Sequence, residues 1–253
     1  MGEENFQEFY TKWIGEQRQQ IGILLLASKS PQIATSSPPL SVLVTRTLAH
    51  YEEYYATKSK CAKTDVFLLL SPPWTSRLEH AFIWIGGWRP SAAFHLLYSK
   101  SGLHLEARLS GAGAAAEAEA DDDSLCLSDL SAHQLGLIDE LQRSTVREER
   151  RITEKEAKQQ ETVADEEMVE LSGAHVVEEE EERVGLALKG KEEGFDKVLR
   201  SADRLRLETL KGVVGILSPM QAVHFLIAAA ELHLSLHEWG MEKDERDGVQ
   251  CNA

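Results

Sequence analysis

Apolar residues recur every three or four positions along most of the chain, the spacing of helices that pack through one face. Over Glu4 to Ala27 the positions Phe6, Phe9, Trp13, Gln17, Gln20 and Leu24 share a stripe, which predicts an amphipathic helix with an aromatic N-terminal face. Ser28 to Pro39, rich in Ser, Thr and Pro, predicts a loop. A second helix is expected from Pro38 or Pro39, carrying Leu40, Leu43, Thr47, Leu48, Tyr51 and Tyr55 toward Asp65. Val66 to Leu70 is continuously apolar; a lone strand has no partner here, so the run reads as helical or irregular.

Ser71 to Lys100 holds three of the five tryptophans and three of the seven prolines, and it reads as a helical corner. Ser71 can cap a helix that opens at Pro72 and Pro73 and runs to Ile85, with Trp74, Leu78, Phe82 and Ile85 on one face. Gly86-Gly87 ends it, and Pro90 is placed to open a second helix through Tyr98. With no convergent set of ionisable groups, the corner reads as structural.

The second half alternates between acid-rich and helix-forming segments. Residues 101–124 combine Gly, Ala and acid without an aromatic and predict a disordered insertion. Ser128 to Ser172 is almost continuously helix-forming, with Ser131 and Gln134 spaced as a capping box; at 1.5 Å per residue it is too long for a compact domain and must bend, break or project. Residues 173–194 contain five consecutive acids, Glu178 to Glu182, and predict a second disordered loop. Phe195 to Leu217 is a strong amphipathic helix. Ser218-Pro219-Met220-Gln221 combines N-cap, N1 proline and capping-box glutamine, opening a last helix apolar nearly all round, with Gly240 as its expected stop and a loose tail over 241–253. The expected fold class is therefore all-α: a single domain over 1–253, a bundle of about six to eight helices with long acidic loops.

Charge narrows the function classes. The net charge is −15, and all of it lies in residues 101–194, which hold 25 acids against 10 bases, while the rest is balanced. A chain without a basic excess lacks the footprint of autonomous nucleic-acid binding and suits a basic partner surface. Three scattered cysteines give neither a disulfide framework nor a cysteine metal site. No segment approaches the apolar length of a membrane span, and no phosphate-binding loop, nucleophile elbow or metalloprotease motif is present, so the expectation is a protein of nucleus and cytoplasm that is not an enzyme.

Candidate chemistry is confined to the two ends. On the last helix His233 and His237 stand one turn apart on an apolar stripe, where they could ligate a metal or haem iron or simply pack. Phe6, Phe9 and Trp13 form the candidate partner-binding face on the first helix.

The runs FQEFYTKWIGEQ, HYEEYYATKSKCAKTDVF, SPPWTSRLEHAFIWIGGWRPSAAFHLLYS, DELQRSTVREER and ADRLRLETLKGVVGILSPMQAVHFLIAAAELHLSLHEWG resemble the Delay of Germination family of seed-dormancy regulators, whose domain also occurs in TGA-type bZIP transcription factors. WIGGWRPS, Trp84 to Ser91, is the specific signal beside the N-terminal Tyr-x-x-Trp. The resemblance implies an all-helical, non-enzymatic regulator of dormancy or maturation, acting in abscisic acid signalling and gene regulation through type 2C protein phosphatases or transcriptional regulators. It also implies a haem-sensing alternative, with His233 and His237 as the matching positions; a transcription-associated DNA-binding protein is a further alternative, although the DNA binding of the TGA factors is not carried over to these residues. The long acidic insertions depart from the compact family pattern, and homo-oligomerisation stays open.

Overall fold

The computed structural model describes residues 3–29, 38–109, 127–173 and 178–248, and among them every regular element is helical. The helices are α1 (Glu3–Lys29), α2 (Leu40–Cys61), α3 (Val66–Leu70), α4 (Arg77–His80), α5 (Ala92–Leu109), α6 (Ala132–Glu161), α7 (Glu166–Ser172), α8 (Glu178–Ile216) and α9 (Pro219–Arg246). Short 3-10 turns at Leu127–Asp129 and Thr162–Ala164 lead into α6 and α7. The all-α bundle expected from the pattern is what forms.

Two layers position the interior. In one, α1 and α2 pack antiparallel, Phe6 meeting Tyr54 and Trp13 lying flat on His50 with ring centroids 4.8 Å apart, and α9 crosses both. In the other, α6 and α8 form a long antiparallel pair, with Gln134 donating to the Ile216 carbonyl at one end and Gln159 to the Lys191 carbonyl toward the other. Phe94 and Leu97 of α5, Ile138 of α6, Val213 of α8 and Phe225 and Leu226 of α9 close the core between them.

Three capping boxes set helix starts: Ser131 with Gln134 opens α6, Ser218 with Gln221 opens α9 behind Pro219, and Ser76 with Glu79 opens α4. The first two match the sequence expectation. The third displaces the predicted start at Pro72, because the Ser76 N–H and hydroxyl both donate to Glu79 Oε2, at 2.8 and 2.7 Å. Pro72 instead closes a turn, its carbonyl accepting the Thr75 hydroxyl at 2.8 Å.

The predicted helix to Ile85 does not form either. Only Arg77–His80 is α-helical, and the chain then enters a tight turn in which the Trp84 N–H donates to the Gly87 carbonyl at 2.7 Å. Helix α5 runs well past Tyr98 to Leu109, so the expected insertion at 101–124 begins as helix; residues 110–126 lie outside the described residues. The predicted disorder of 173–194 is overturned for 178–194, which form the first part of α8. Glu, Ala, Leu and Lys are good helix formers there, and Lys191 pairs with Asp165, the N-cap of α7. The long segment after Ser128 breaks at Thr162–Ala164, as its length required.

Gly240 does not stop α9, which continues six residues further to Arg246 and buries Asp244. The glycine permits close packing: a Cβ there would lie 2.0 Å from Ser76 Oγ and 2.7 Å from Ser76 Cβ. Of the tail, residues 249–253 lie outside the described residues.

Candidate functional site

The Trp84–Gly87 turn is held by side chains from several helices. Ile85 has φ 48° and Gly86 φ 67°, positive values at both central positions. Glycine adopts this conformation freely, whereas a β-branched residue does so at a cost of about 1–3 kcal/mol and needs surroundings that over-determine it.

Two buried cations supply that restraint. Arg206 of α8 donates to the carbonyls of Trp88 at 2.6 Å, Ile85 at 2.9 Å and Trp84, and Lys58 of α2 donates to the Gly86 carbonyl at 2.7 Å. Asp203, one turn before Arg206, accepts from both cations through Oδ1, with Lys58 at 3.0 Å. The guanidinium groups of Arg206 and Arg89 each stand 5.4 Å from the centroid of the Trp84 ring, whose indole N–H donates to Thr153 of α6 at 3.0 Å. The turn thus ties α2, α6 and α8 together. Burial pushes the Lys58 ammonium down to about 8 despite the opposing pull of Asp203.

The sequence pattern shows these residues only in part. Lys58 follows Tyr51, Tyr54 and Tyr55 at helical spacing, so a buried lysine was inferable there, whereas Asp203 and Arg206 look like members of an exposed ion-pair series. Both are buried, and nothing local in the sequence marks them. On α6, by contrast, Arg143 pairs with Asp139 and Arg151 with Glu148 in exposed ion pairs of the kind their spacing suggests.

Beside the clamp lies an aromatic interior, and it changes the reading of the candidate partner face. Phe6 and Trp13 are 1% and 3% exposed, and Phe9 is partly buried. Phe6 packs on Trp74, Phe9 on Tyr54, and the Trp13 indole donates to the His50 carbonyl at 3.2 Å. The expected exposed aromatic face is therefore corrected to a core face, because α2 and the Trp74 segment cover it. Burial pushes the phenol of Tyr51 up to about 12 and raises those of Tyr10, Tyr54 and Tyr55.

His233 and His237 enter different surroundings. His233 is enclosed by Trp13, Trp88 and Tyr10, whose hydroxyl lies 3.5 Å from Nε2, and desolvation pushes the imidazole down to about 4. His237 directs Nδ1 at the Glu79 carboxylate, 3.1 Å from each oxygen. Burial opposes ionisation of Glu79, but hydrogen bonds from His237 and Ser76 outweigh it and hold the carboxyl below its ordinary value. Glu79 therefore serves two structural ends at once, capping α4 and anchoring α9.

Two small cavities flank His233. One, of about 110 Å³, is lined by Tyr10, Tyr54, Lys58, Trp74 and Trp88; the other, about 160 Å³, by Tyr51, Pro90, Leu96, Phe225 and Leu232. Organic-ligand pockets span roughly 300–1,000 Å³. Neither cavity has porphyrin dimensions, and His237 lines neither. The residues as folded do not fit a haem held by this pair. Among the described residues no group of three or more metal-ligating side chains converges, and no helix is long and apolar enough to cross a membrane.

The fold and its restrained centre define a protein that is all-helical over the described residues, with buried Lys58 and Arg206 holding the backbone of one turn. Residues 23–99 match the family model described as DOG1, seed dormancy control. The chain is 32% identical to Protein DOG1-like 3 of Arabidopsis thaliana over 94% of its own length and 84% of the relative's. It also resembles Protein RESPONSE TO ABA AND SALT 1 of the same plant, at 26% identity over 95% and 96%. Transcription factor TGA2 matches at 26% over 88% of this chain but only 59% of its own length. The chain belongs to the DOG1 family.

Proposed function

We propose that the protein is a non-enzymatic regulator of seed dormancy or maturation that acts by protein–protein contact in abscisic acid signalling. The observation that carries this reading is near end-to-end similarity to DOG1-like proteins, 94% of this chain on 84% of Protein DOG1-like 3. The relative named for its response to ABA and salt supports the abscisic acid assignment. Type 2C protein phosphatases or transcriptional regulators are the partners, met in nucleus or cytoplasm; the similarity to TGA2 supports the transcriptional side. Direct DNA binding is disfavoured by the net charge of −15 and by the even balance of acids and bases summed over the residues outside 101–194.

Germination of seed lacking the protein tests the regulatory role: earlier germination and reduced sensitivity to applied abscisic acid are expected, and a time course equal to wild type refutes it. Affinity purification from maturing seed, followed by phosphatase assays with the purified chain, tests the partner. A type 2C phosphatase that neither binds nor changes its rate removes that assignment alone.

A further inference from the structure

Helix α8 carries one apolar stripe through Val184, Leu188, Phe195 and Leu199, spaced four, seven and four residues apart. Its C-terminal part is covered: Leu199 is 1% exposed, and Phe195 meets Phe67 of α3 edge to face with centroids 5.7 Å apart. Its N-terminal part is not. Val184 and Leu188 are 37% and 45% exposed, and Phe67, beside Phe195, is 47% exposed. Ala187, 5% exposed, shows that another side of this end of α8 is packed, while the stripe that binds α8 to the body continues beyond Phe195 without full cover. Exposed apolar surface continuous with a packed seam is a mark of a binding surface.

The charges around the stripe indicate what covers it. Residues 178–193 hold seven acids and three bases, and two of the bases are engaged, Arg183 with Glu170 and Lys191 with Asp165. Glu181 and Glu192 lie exposed on the α8 face next to Val184 and Leu188. A second copy would bring another −15 of net charge to this acidic end, which opposes self-association. A helix with an apolar stripe flanked by Lys or Arg satisfies both features.

We infer that the uncovered end of α8, Val184 and Leu188 with Phe195 and Phe67, is a docking surface for a basic amphipathic helix of a partner protein. The inference rests on the reading of the chain as an interaction protein and names the chemistry of one partner segment. The probe is a labelled peptide of about 18 residues with Leu at heptad a and d positions and Lys elsewhere, followed by fluorescence anisotropy with the full chain at physiological salt. Val184→Glu/Leu188→Glu is compared with Val163→Glu/Leu186→Glu, whose exposed side chains lie off the stripe. Both pairs add the same negative charge, so lost affinity in the first alone reports lost apolar contact. We expect about tenfold or greater weakening for the stripe pair and less than about twofold for the control. Equal behaviour of the two pairs overturns the site, and a wild-type dimer abolished by the stripe pair overturns the occupant. Should the double variant lose helicity, Leu188→Gln replaces it. Failure here with phosphatase capture intact moves the surface elsewhere; unaltered germination with peptide binding intact sinks the regulatory reading.

Discussion

Replacing Asp203 by Asn keeps the shape of the clamp and removes its only anion. Lys58, Asp203 and Arg206 have side chains 2%, 8% and 5% exposed, so the two cations left behind have little access to water. At 3.0 Å, with an effective dielectric constant of about 20, the Lys58–Asp203 attraction is about 5 kcal/mol, most of which offsets desolvation. Stranding buried charge by removing a partner costs about 3–5 kcal/mol, a large share of an ordinary folding free energy of about 5–15 kcal/mol. Urea unfolding followed by tryptophan fluorescence should therefore show a loss of about 3–5 kcal/mol at pH 7 with an unchanged slope. The penalty should shrink as pH rises. The Lys58 pKa is about 8 when folded against 10.5 ordinarily, so between those values the unfolded chain holds more protons and stability increases with pH. Without Asp203 the folded pKa drops further, and Asp203→Asn should recover part of its loss between pH 7 and 9. A loss below about 1 kcal/mol, or one independent of pH, would refute the account of a charge-balanced clamp.

Three further outcomes follow from the same geometry. Gly86→Ala places a Cβ 2.4 Å from the Leu69 carbonyl at a φ of +67°, and Gly240→Ala places one 2.0 Å from Ser76 Oγ; each should cost several kcal/mol, on the order of 2–4, in urea unfolding, while Gly185→Ala, which meets nothing within 4 Å, should be neutral or slightly stabilising. Lowering the pH from 6.5 toward 4 should destabilise the protein by up to about 3 kcal/mol, because His233 stays neutral when folded down to about 4 while its unfolded form protonates near 6.5; His233→Phe should flatten this window, and an unchanged slope would assign it elsewhere. Titrating haemin into the full chain should leave the Soret band of free haemin, identical in His233→Ala/His237→Ala; a shifted band lost in the double variant would show that α9 can move to open a pocket.

The long helices were legible because their signals are local. The boxes at Ser131 and Ser218 and the stripes of α1, α2 and α8 need only spacing and capping chemistry. The tryptophan corner was misread where two local signals compete. Ser71-Pro72-Pro73 and Ser76-x-x-Glu79 both encode a helix start, and the second prevails because Glu79 also meets His237 from α9, a partner 158 residues away. The clamp was largely invisible for a similar reason. Asp203 and Arg206 have the i, i+3 spacing of any surface pair, and only the fold brings Lys58 and the turn carbonyls to them. The acidic run at Glu178 was misjudged because charge alone argued for disorder, while the helix depends on the pairing of α8 with α6 and α7.

Burial of the N-terminal aromatics moves the search for the functional surface. Phe6 and Trp13, with Tyr54 and Trp74, fill the interface of α1, α2 and α9, and residues so enclosed cannot be hot spots without unfolding that interface. Phe6→Ala or Trp13→Ala would consequently weaken partner binding through lost stability, on the order of 3–5 kcal/mol, and would not report a contact. His233 and His237, half-buried against Trp13, Trp88 and Glu79, are subject to a similar objection. A recognition surface must be built from side chains that can change partner without loss of the core, and in this chain the acidic, partly aliphatic end of α8 meets that condition with its charge and its apolar stripe together. The clamp's contribution is indirect: by fixing α8 through Asp203 and Arg206 to the strained turn, it sets the direction in which that end is presented.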